Sequence, residues 1–240
     1  QLWSKSYVGV IALGEETPTG DTETATGAAP APVPPAATLS AARRRLTGTY
    51  GQVPPLFSAK KVGGIPAHRL ARQGGTPQLA PVTVTIHAFR VKPHGEGRLR
   101  FAARVSSGTY LRTLARDLGR ICGTGAHLEV LRRTRIGPLS IHAAARVDTE
   151  RDLACIPETL LPVEAIPLPL PKAAVDGPSA GRFLHGQTVE CTAPSGAAAG
   201  PVRVVDPDSR LLGIGEMAEH VRVRPRAVLV VPPAAGTLRE

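Results

Sequence analysis

Residues 82–105 constrain the fold more than any other stretch of this sequence. Val82, Val84 and Ile86 alternate with Thr83, Thr85 and His87; after a turn at His94 to Gly97, Leu99, Phe101, Ala103 and Val105 alternate with Arg98, Arg100, Ala102 and Arg104. A period of two sends successive side chains to opposite faces of a strand. The two runs therefore read as an antiparallel hairpin with one apolar face and one partly basic face. Directly after it the period changes: Leu111, Leu114, Ala115 and Leu118 recur at i, i+3, i+4 and i+7, the stripe of an amphipathic helix. A strand thus turns sharply into a helix near Tyr110. The first residues of a helix offer free N–H groups to anions, and Gly108 lets a ligand approach the backbone closely. Spacing alone leaves two readings open for Tyr110 and Arg112, the mouth of a cleft or a core ring beside a surface ion pair.

The remaining elements follow from the same patterns. Tyr7 to Leu13 is an apolar run ended by Gly14, a buried strand, and Pro18 and Gly20 mark a turn after it. Residues 25–37, rich in Ala and Pro, read as a connector. Leu39, Ala42 and Leu46 predict a short helix closed by Gly48. Gln52 to Gly64 reads as an ordered but adjustable loop leading to a second short helix near Ala67 to Gln73. The spacing of Leu128 and Leu131 predicts a short basic helix over Ala126 to Arg135, and a strand is expected through Ile141. A Pro-rich linker is placed at residues 157–171, dividing a first domain at 1–156 from a second at 172–240. In the second, a helix near Ser179 to Leu184 and strands at 202–205, 211–214, 221–223 and 227–231 predict a small barrel or sandwich.

Charge narrows the partner. The net charge of +10 is regional: residues 40–135 hold eighteen Lys and Arg against Glu96, Asp117 and Glu129. A block of that sign favours a polyanion such as RNA, whose condensed counterions are released on binding. Neither a helix-turn-helix nor a zinc motif is present, so a DNA-binding protein is the weaker reading. Cys122, Cys155 and Cys191 form no C-x-x-C pair, which argues against a disulfide framework and a structural zinc site. No apolar stretch reaches the roughly 18 residues of a membrane span, and no signal peptide opens the chain, so a cytoplasmic protein is expected.

Three motifs in order carry a resemblance. Gln52-Val-Pro-Pro-Leu-Phe-Ser-Ala-Lys-Lys-Val-Gly-Gly64, Ser106-Ser-Gly-Thr-Tyr-Leu-Arg-Thr-Leu-Ala-Arg-Asp-Leu-Gly119 and Gly125-Ala-His-Leu-Glu-Val-Leu-Arg-Arg-Thr-Arg-Ile-Gly137 resemble the TruB family of bacterial tRNA pseudouridine synthases. Lys5-Ser-Tyr7 and Thr17-Pro-Thr-Gly-Asp21 extend the likeness over most of residues 5–147. The tail, with Leu211-Leu-Gly-Ile-Gly-Glu216, is more weakly similar to the family's PUA-like RNA-binding module. The resemblance implies an α+β fold: a mixed, largely antiparallel sheet, an RNA-binding insertion at about 52–78, and a small C-terminal PUA-like β-barrel. It implies isomerisation of uridine 55 in the tRNA T loop, by a monomer, without metal or organic cofactor. The base must leave its stack for that chemistry.

Site residues are carried over by motif. Tyr7 matches the family's stacking tyrosine, Tyr110 its second active-site tyrosine, and Arg112 the arginine that pairs with the catalytic aspartate. Leu131 matches an apolar pocket residue. Lys60, Lys61, Arg69 and Arg72 of the insertion, with Arg132 and Arg133, are expected to contact RNA, and Gly63-Gly64 to act as the insertion's hinge. His127 is expected to be structural. The family's nucleophilic aspartate lies in a Gly-Thr-Leu-Asp-Pro-like stretch upstream of the Lys-x-Tyr motif, and residues 1–7 hold no counterpart; Asp21 and Asp117 belong to other motifs. With no initiator Met at Gln1, the expectation is an N-terminally truncated member, inactive alone. The competing expectation is a non-catalytic RNA binder that keeps the T-loop grip. Ser107 stands where the family usually has Lys, and Thr124 where it often has Cys.

Overall fold

The computed structural model describes residues 3–58, 60–75, 78–148, 160–192, 199–219 and 221–229. Residues 157–159 of the expected linker, Cys155, Ala59, Thr76 and Pro77 of the insertion, and the end of the last expected strand at 230–231 lie outside them. The chain divides into two compact units, Gln1–Ala144 and Ala145–Glu240.

In chain order the first unit contains β1 (Lys5–Leu13), α1 (Ala36–Arg45), β2 (Gly48–Gln52), β3 (Lys61–Val62), β4 (Ile65–Pro66), α2 (Ala67–Arg72), β5 (Val82–Pro93), β6 (Arg98–Val105), α3 (Leu111–Cys122), β7 (Ala126–Ile136) and β8 (Leu139–Ser140). Six strands form one sheet in the order β2-β5-β6-β1-β7-β8, antiparallel throughout. Ile11, Phe89, Leu99 and Phe101 on one face of the sheet share a core with Leu39 of α1 and Leu114 and Leu118 of α3. On the other face Arg100 lies opposite Val10 and Lys92, and Arg104 opposite Ser6, which is the expected basic face. Gly9 has a packing reason: a Cβ there would stand 2.0 Å from the Val130 carbonyl oxygen and 2.8 Å from the Phe101 ring. The missing side chain leaves room for Phe101, whose ring meets Phe89 edge-on at 6.3 Å.

One expectation is corrected. Residues 126–136 are a strand, not a helix, paired with β1 along its length. The helical spacing of its leucines comes from a bulge. Leu128 lies opposite Ile11, the register shifts, and Leu131 lies opposite Gly9. An extra residue in one strand puts side chains three apart on the same face, as a helix would. Gly63 and Gly64, at φ +57° and +84°, form the two-residue turn of the β3–β4 hairpin, the left-handed geometry that such turns require. The expected hinge is thus a hairpin turn.

The second unit contains β9 (Lys172–Ala174), α4 (Gly177–Leu184), β10 (Val189–Glu190), β11 (Pro201–Val205), β12 (Leu211–Glu219) and β13 (Arg222–Val228). The strand order is β10-β13-β12-β11-β9, and β9 runs parallel to β11. Ala174 and Thr192, just past β10, exchange backbone hydrogen bonds at 2.9 and 2.7 Å. That pair joins the two ends of the sheet into a small barrel around Phe183, Val202, Val204 and Val223. Asp176 caps α4 by accepting from the Ser179 N–H at 2.7 Å. The last two expected strands are one, β13; Pro225 is tolerated because β10 pairs only with Arg222 and Val223, leaving an open edge beyond them.

Candidate functional site

The turn between β6 and α3 is built before the helix starts. Gly108 takes φ +85°, and Thr109 Oγ1 donates to the Ser106 carbonyl at 2.9 Å. Ser106 is itself anchored to β5, donating its N–H to the Thr85 carbonyl and accepting the Thr85 N–H on its hydroxyl, both at 2.8 Å. Tyr110 follows as the N-cap of α3 in extended conformation, with no side-chain cap. Its backbone N–H instead donates to Gln52 Oε1 at 2.8 Å, and Gln52 Nε2 donates to its carbonyl at 3.2 Å.

Arg112, one turn-step into the helix, holds two loops. Its Nη1 donates to the Thr19 carbonyl at 2.9 Å and to Asp21 Oδ2 at 3.2 Å, while Nη2 donates to the Phe57 carbonyl at 3.0 Å. Gly20, at φ +78°, lets this happen, because a Cβ there would lie 3.1 Å from the Arg112 Cβ. Asp21 is fully engaged: Oδ1 accepts from Thr19 Oγ1 at 2.6 Å and from the Glu23 N–H at 3.2 Å. Burial pushes its carboxyl up, but these hydrogen bonds and the neighbouring Arg112 guanidinium outweigh it and hold the group below the usual carboxylate range.

A cleft of about 500 Å³ opens here, lined by Thr19, Glu23, Thr24, Phe57, Ser58, Arg72, Tyr110 and Arg112. Its volume is in the range of small-molecule sites. Tyr110, Arg112 and Arg72 are therefore brought together. Tyr7 and Leu131 are not among the lining residues. Tyr7 packs half-buried against the core, opposite Ala103 of β6 and Arg133 of β7. Leu131, 44% exposed, lies opposite Gly9 on the same sheet face. Lys5 Nζ donates to Ser107 Oγ at 2.7 Å, tying the start of the Tyr7 strand to the loop before Tyr110. Arg132 pairs opposite Val8, and Arg133 opposite Tyr7, so these neighbours point to opposite faces of the sheet. Lys60, Lys61, Arg69 and Arg72 are all exposed. His127 is buried, with Nδ1 3.0 Å from the Glu15 carbonyl oxygen, tying β7 to the loop after β1.

Known proteins match this arrangement over almost the whole chain. Residues 1–111 match the N-terminal domain of the TruB family pseudouridylate synthases. Residues 112–166 match the C-terminal domain of tRNA pseudouridylate synthase B, and residues 171–229 the C-terminal region of pseudouridine synthase II TruB. The tRNA pseudouridine synthase B of Burkholderia mallei (strain NCTC 10247) is 38% identical over 236 residues, covering 94% of this chain and 76% of its own. The chain belongs to the TruB family. The tRNA pseudouridine synthase B of Aromatoleum aromaticum is 39% identical over 230 residues, covering 94% of this chain and 72% of its own. Among solved structures, a Cbf5-Nop10-Gar1 complex matches with a TM-score of 0.64 at 21% identity, over 94% of this chain and 66% of that one. An archaeal box H/ACA sRNP Nop10-Cbf5 complex matches at 0.61 and 18%, with the same coverage. Those likenesses establish the pseudouridine synthase fold. This chain spans just under two thirds of the length of those structures' chains.

Two supports of the cleft lie inside the sequence motifs without a role that the motifs reveal. Asp21 ends a turn motif, yet it is the carboxylate that Arg112 holds, 91 residues away. Gln52 reaches Tyr110 across 58 residues. The signal for Asp21 was the run Thr17-Pro-Thr-Gly-Asp21 itself, a turn rich in side-chain acceptors.

Proposed function

We propose that this TruB protein isomerises uridine 55 in the T loop of tRNA to pseudouridine. The observation that carries the reading is Arg112, fixed by three acceptors in a cleft it shares with Tyr110 and Arg72. The target base leaves its stack and enters the cleft. Tyr7, on β1 outside the lining of that cleft, meets the uracil by ring contact as the bound RNA brings the base to the β1 face, a contact worth about 1–3 kcal/mol for a base on an aromatic ring, with Leu131 on the same sheet face. An aspartate carboxylate displaces the uracil N1 from the sugar C1′ to form a covalent adduct, the freed uracil turns, its carbon 5 displaces the aspartate from C1′, and carbon 5 loses its proton while N1 gains one. Arg112 keeps that nucleophilic carboxylate ionised and aimed. Asp21 is read as a support and not as the nucleophile, because it lies in the Thr17–Asp21 motif downstream of Lys5-Ser-Tyr7, where its carboxylate ties the loop to Arg112.

The insertion grips RNA backbone through Lys60, Lys61, Arg69 and Arg72, while Arg133 does so from the Tyr7 face of β7. Arg132 serves RNA only where a strand passes the opposite face. The C-terminal barrel adds affinity as a PUA-like module, and the protein acts as a monomer. The test is incubation of the full-length protein with a T-arm hairpin, followed by nucleoside analysis. Pseudouridine at position 55 alone is expected. No pseudouridine, or pseudouridine elsewhere in the hairpin, contradicts the reading.

A further inference from the structure

We infer that Gln52 is a positioning residue for the isomerisation, setting Tyr110 at the edge of the cleft through a two-point grip on its peptide backbone. The inference rests on the proposed function, in which Tyr110 stands in the active-site cleft beside Arg112. Gln52 is the last residue of β2 and is 1% exposed, so its amide has no recourse to water. Both amide atoms bond Tyr110, with the Tyr50 hydroxyl beside the same amide. Oε1 accepts the Tyr110 N–H at 2.8 Å, and Nε2 donates to the Tyr110 carbonyl at 3.2 Å.

That carbonyl also accepts the Leu114 N–H at 3.1 Å, the first turn of α3. Gln52 therefore closes the helix start from outside, at a position where no side chain of the helix caps it. An N-cap N–H left buried and unpaired is costly. One hydrogen bond would satisfy it; two from a rigid planar amide also fix the two peptide units that flank the Tyr110 α-carbon, and so the direction of its side chain. The neighbouring residue reinforces the junction, since Thr113 Oγ1 donates to the Val53 carbonyl at 3.4 Å. Among natural side chains the requirement is narrow: one acceptor and one donor at glutamine length. A carboxylate lacks the donor, asparagine lacks the reach, and leucine has neither atom.

A neutral carboxylic acid does have both. Gln52→Glu therefore turns the grip into a protonation switch. While the introduced carboxyl is protonated it donates to the Tyr110 carbonyl and accepts the N–H; once ionised it faces that carbonyl oxygen with no proton between them. Burial raises the pKa of such a group, which places the change above the ordinary carboxylate range. The ionisable neighbours are Tyr50 on β2, pushed up to about 12 chiefly by burial, and Arg112, Arg116 and Asp117 on α3, the last two paired at 2.8 Å.

The experiment compares full-length wild type, Gln52→Leu and Gln52→Glu on the T-arm hairpin, at temperatures where circular dichroism shows each folded. Expected for Gln52→Leu is a fall in kcat of about tenfold or more, with hairpin Kd within threefold of wild type. Expected for Gln52→Glu is a ratio of variant to wild-type kcat that falls about tenfold as pH rises from 5 to 9. A kcat for Gln52→Leu within twofold of wild type overturns the inference and leaves the reading of the site intact. If Gln52→Leu does not fold, the Gln52→Glu ratio decides, and a pH-independent ratio overturns the inference. A wild type without turnover overturns the site reading and this inference together.

Discussion

The two units of the molecule stabilise themselves in contrasting ways. Among the described residues, the second unit buries a core of Phe183, Val189, Val202, Val204 and Val223, and its one buried polar side chain, Ser179, belongs to the first turn of α4. The first unit buries Thr19, Gln52, Ser58, Thr113 and His127. Four of these carry hydrogen bonds between or within the segments around residues 15–24, 52–58 and 110–127, and Ser58 lines the cleft. Buried polarity is costly unless it is satisfied. Its concentration in the unit that holds the cleft marks where this chain spends stability on geometry, and its near absence from the described residues of the barrel marks a unit held by apolar packing.

That contrast can be broken or sharpened by experiment. The largest effect is expected from Phe183→Ala, which empties the barrel core and should cost about 3–5 kcal/mol in the unfolding of the second unit. Turnover on a minimal T-arm hairpin should survive it. If isomerisation disappears with the barrel, the division of labour is wrong. Next comes Asp21→Asn, which removes the charge partner of Arg112 and should cost about 1–3 kcal/mol, the range for a hydrogen bond to a charged group. The Asp21 carboxyl is held below its ordinary value in the folded protein. Its contribution is therefore complete above the unfolded pKa of about 3.9 and is lost as pH falls through the lower folded value. Denaturation curves of wild type and variant should converge in acid; a constant difference down to the acid limit would show that the charge is not what matters. The smallest effect is expected from Lys60→Gln with Lys61→Gln. The salt dependence of hairpin binding should flatten by about 1–2 in the slope of log K against log salt, while kcat holds. An unchanged slope removes these lysines from the RNA contact.

Much of this was legible in local pattern. The alternation of β5 and β6 and the apolar stripe of α3 follow directly from residues 82–118, because each element meets its partners through its own period. The strand β7 was not legible. Its bulge between Leu128 and Val130 shifts the leucines to helical spacing, and the register that explains them is written in β1, more than a hundred residues earlier. The same distance hides the site's supports. Nothing near Gln52 says that its amide will close a helix starting at Leu111, and nothing near Asp21 says that Arg112 will reach it. The motifs contain both the residues that line the cleft and those that support it, but the supporting roles of Gln52 and Asp21 are visible only in contacts made by the folded chain.

Arg112 is the residue on which the proposed chemistry depends most directly. Full-length wild type and Arg112→Ala should be compared on the same T-arm hairpin, with pseudouridine formation and hairpin affinity measured side by side. The expected result is turnover by wild type, none detectable by the variant, and affinities within about threefold of each other. Pseudouridine formed by Arg112→Ala at the wild-type rate would show that the chemistry lies elsewhere.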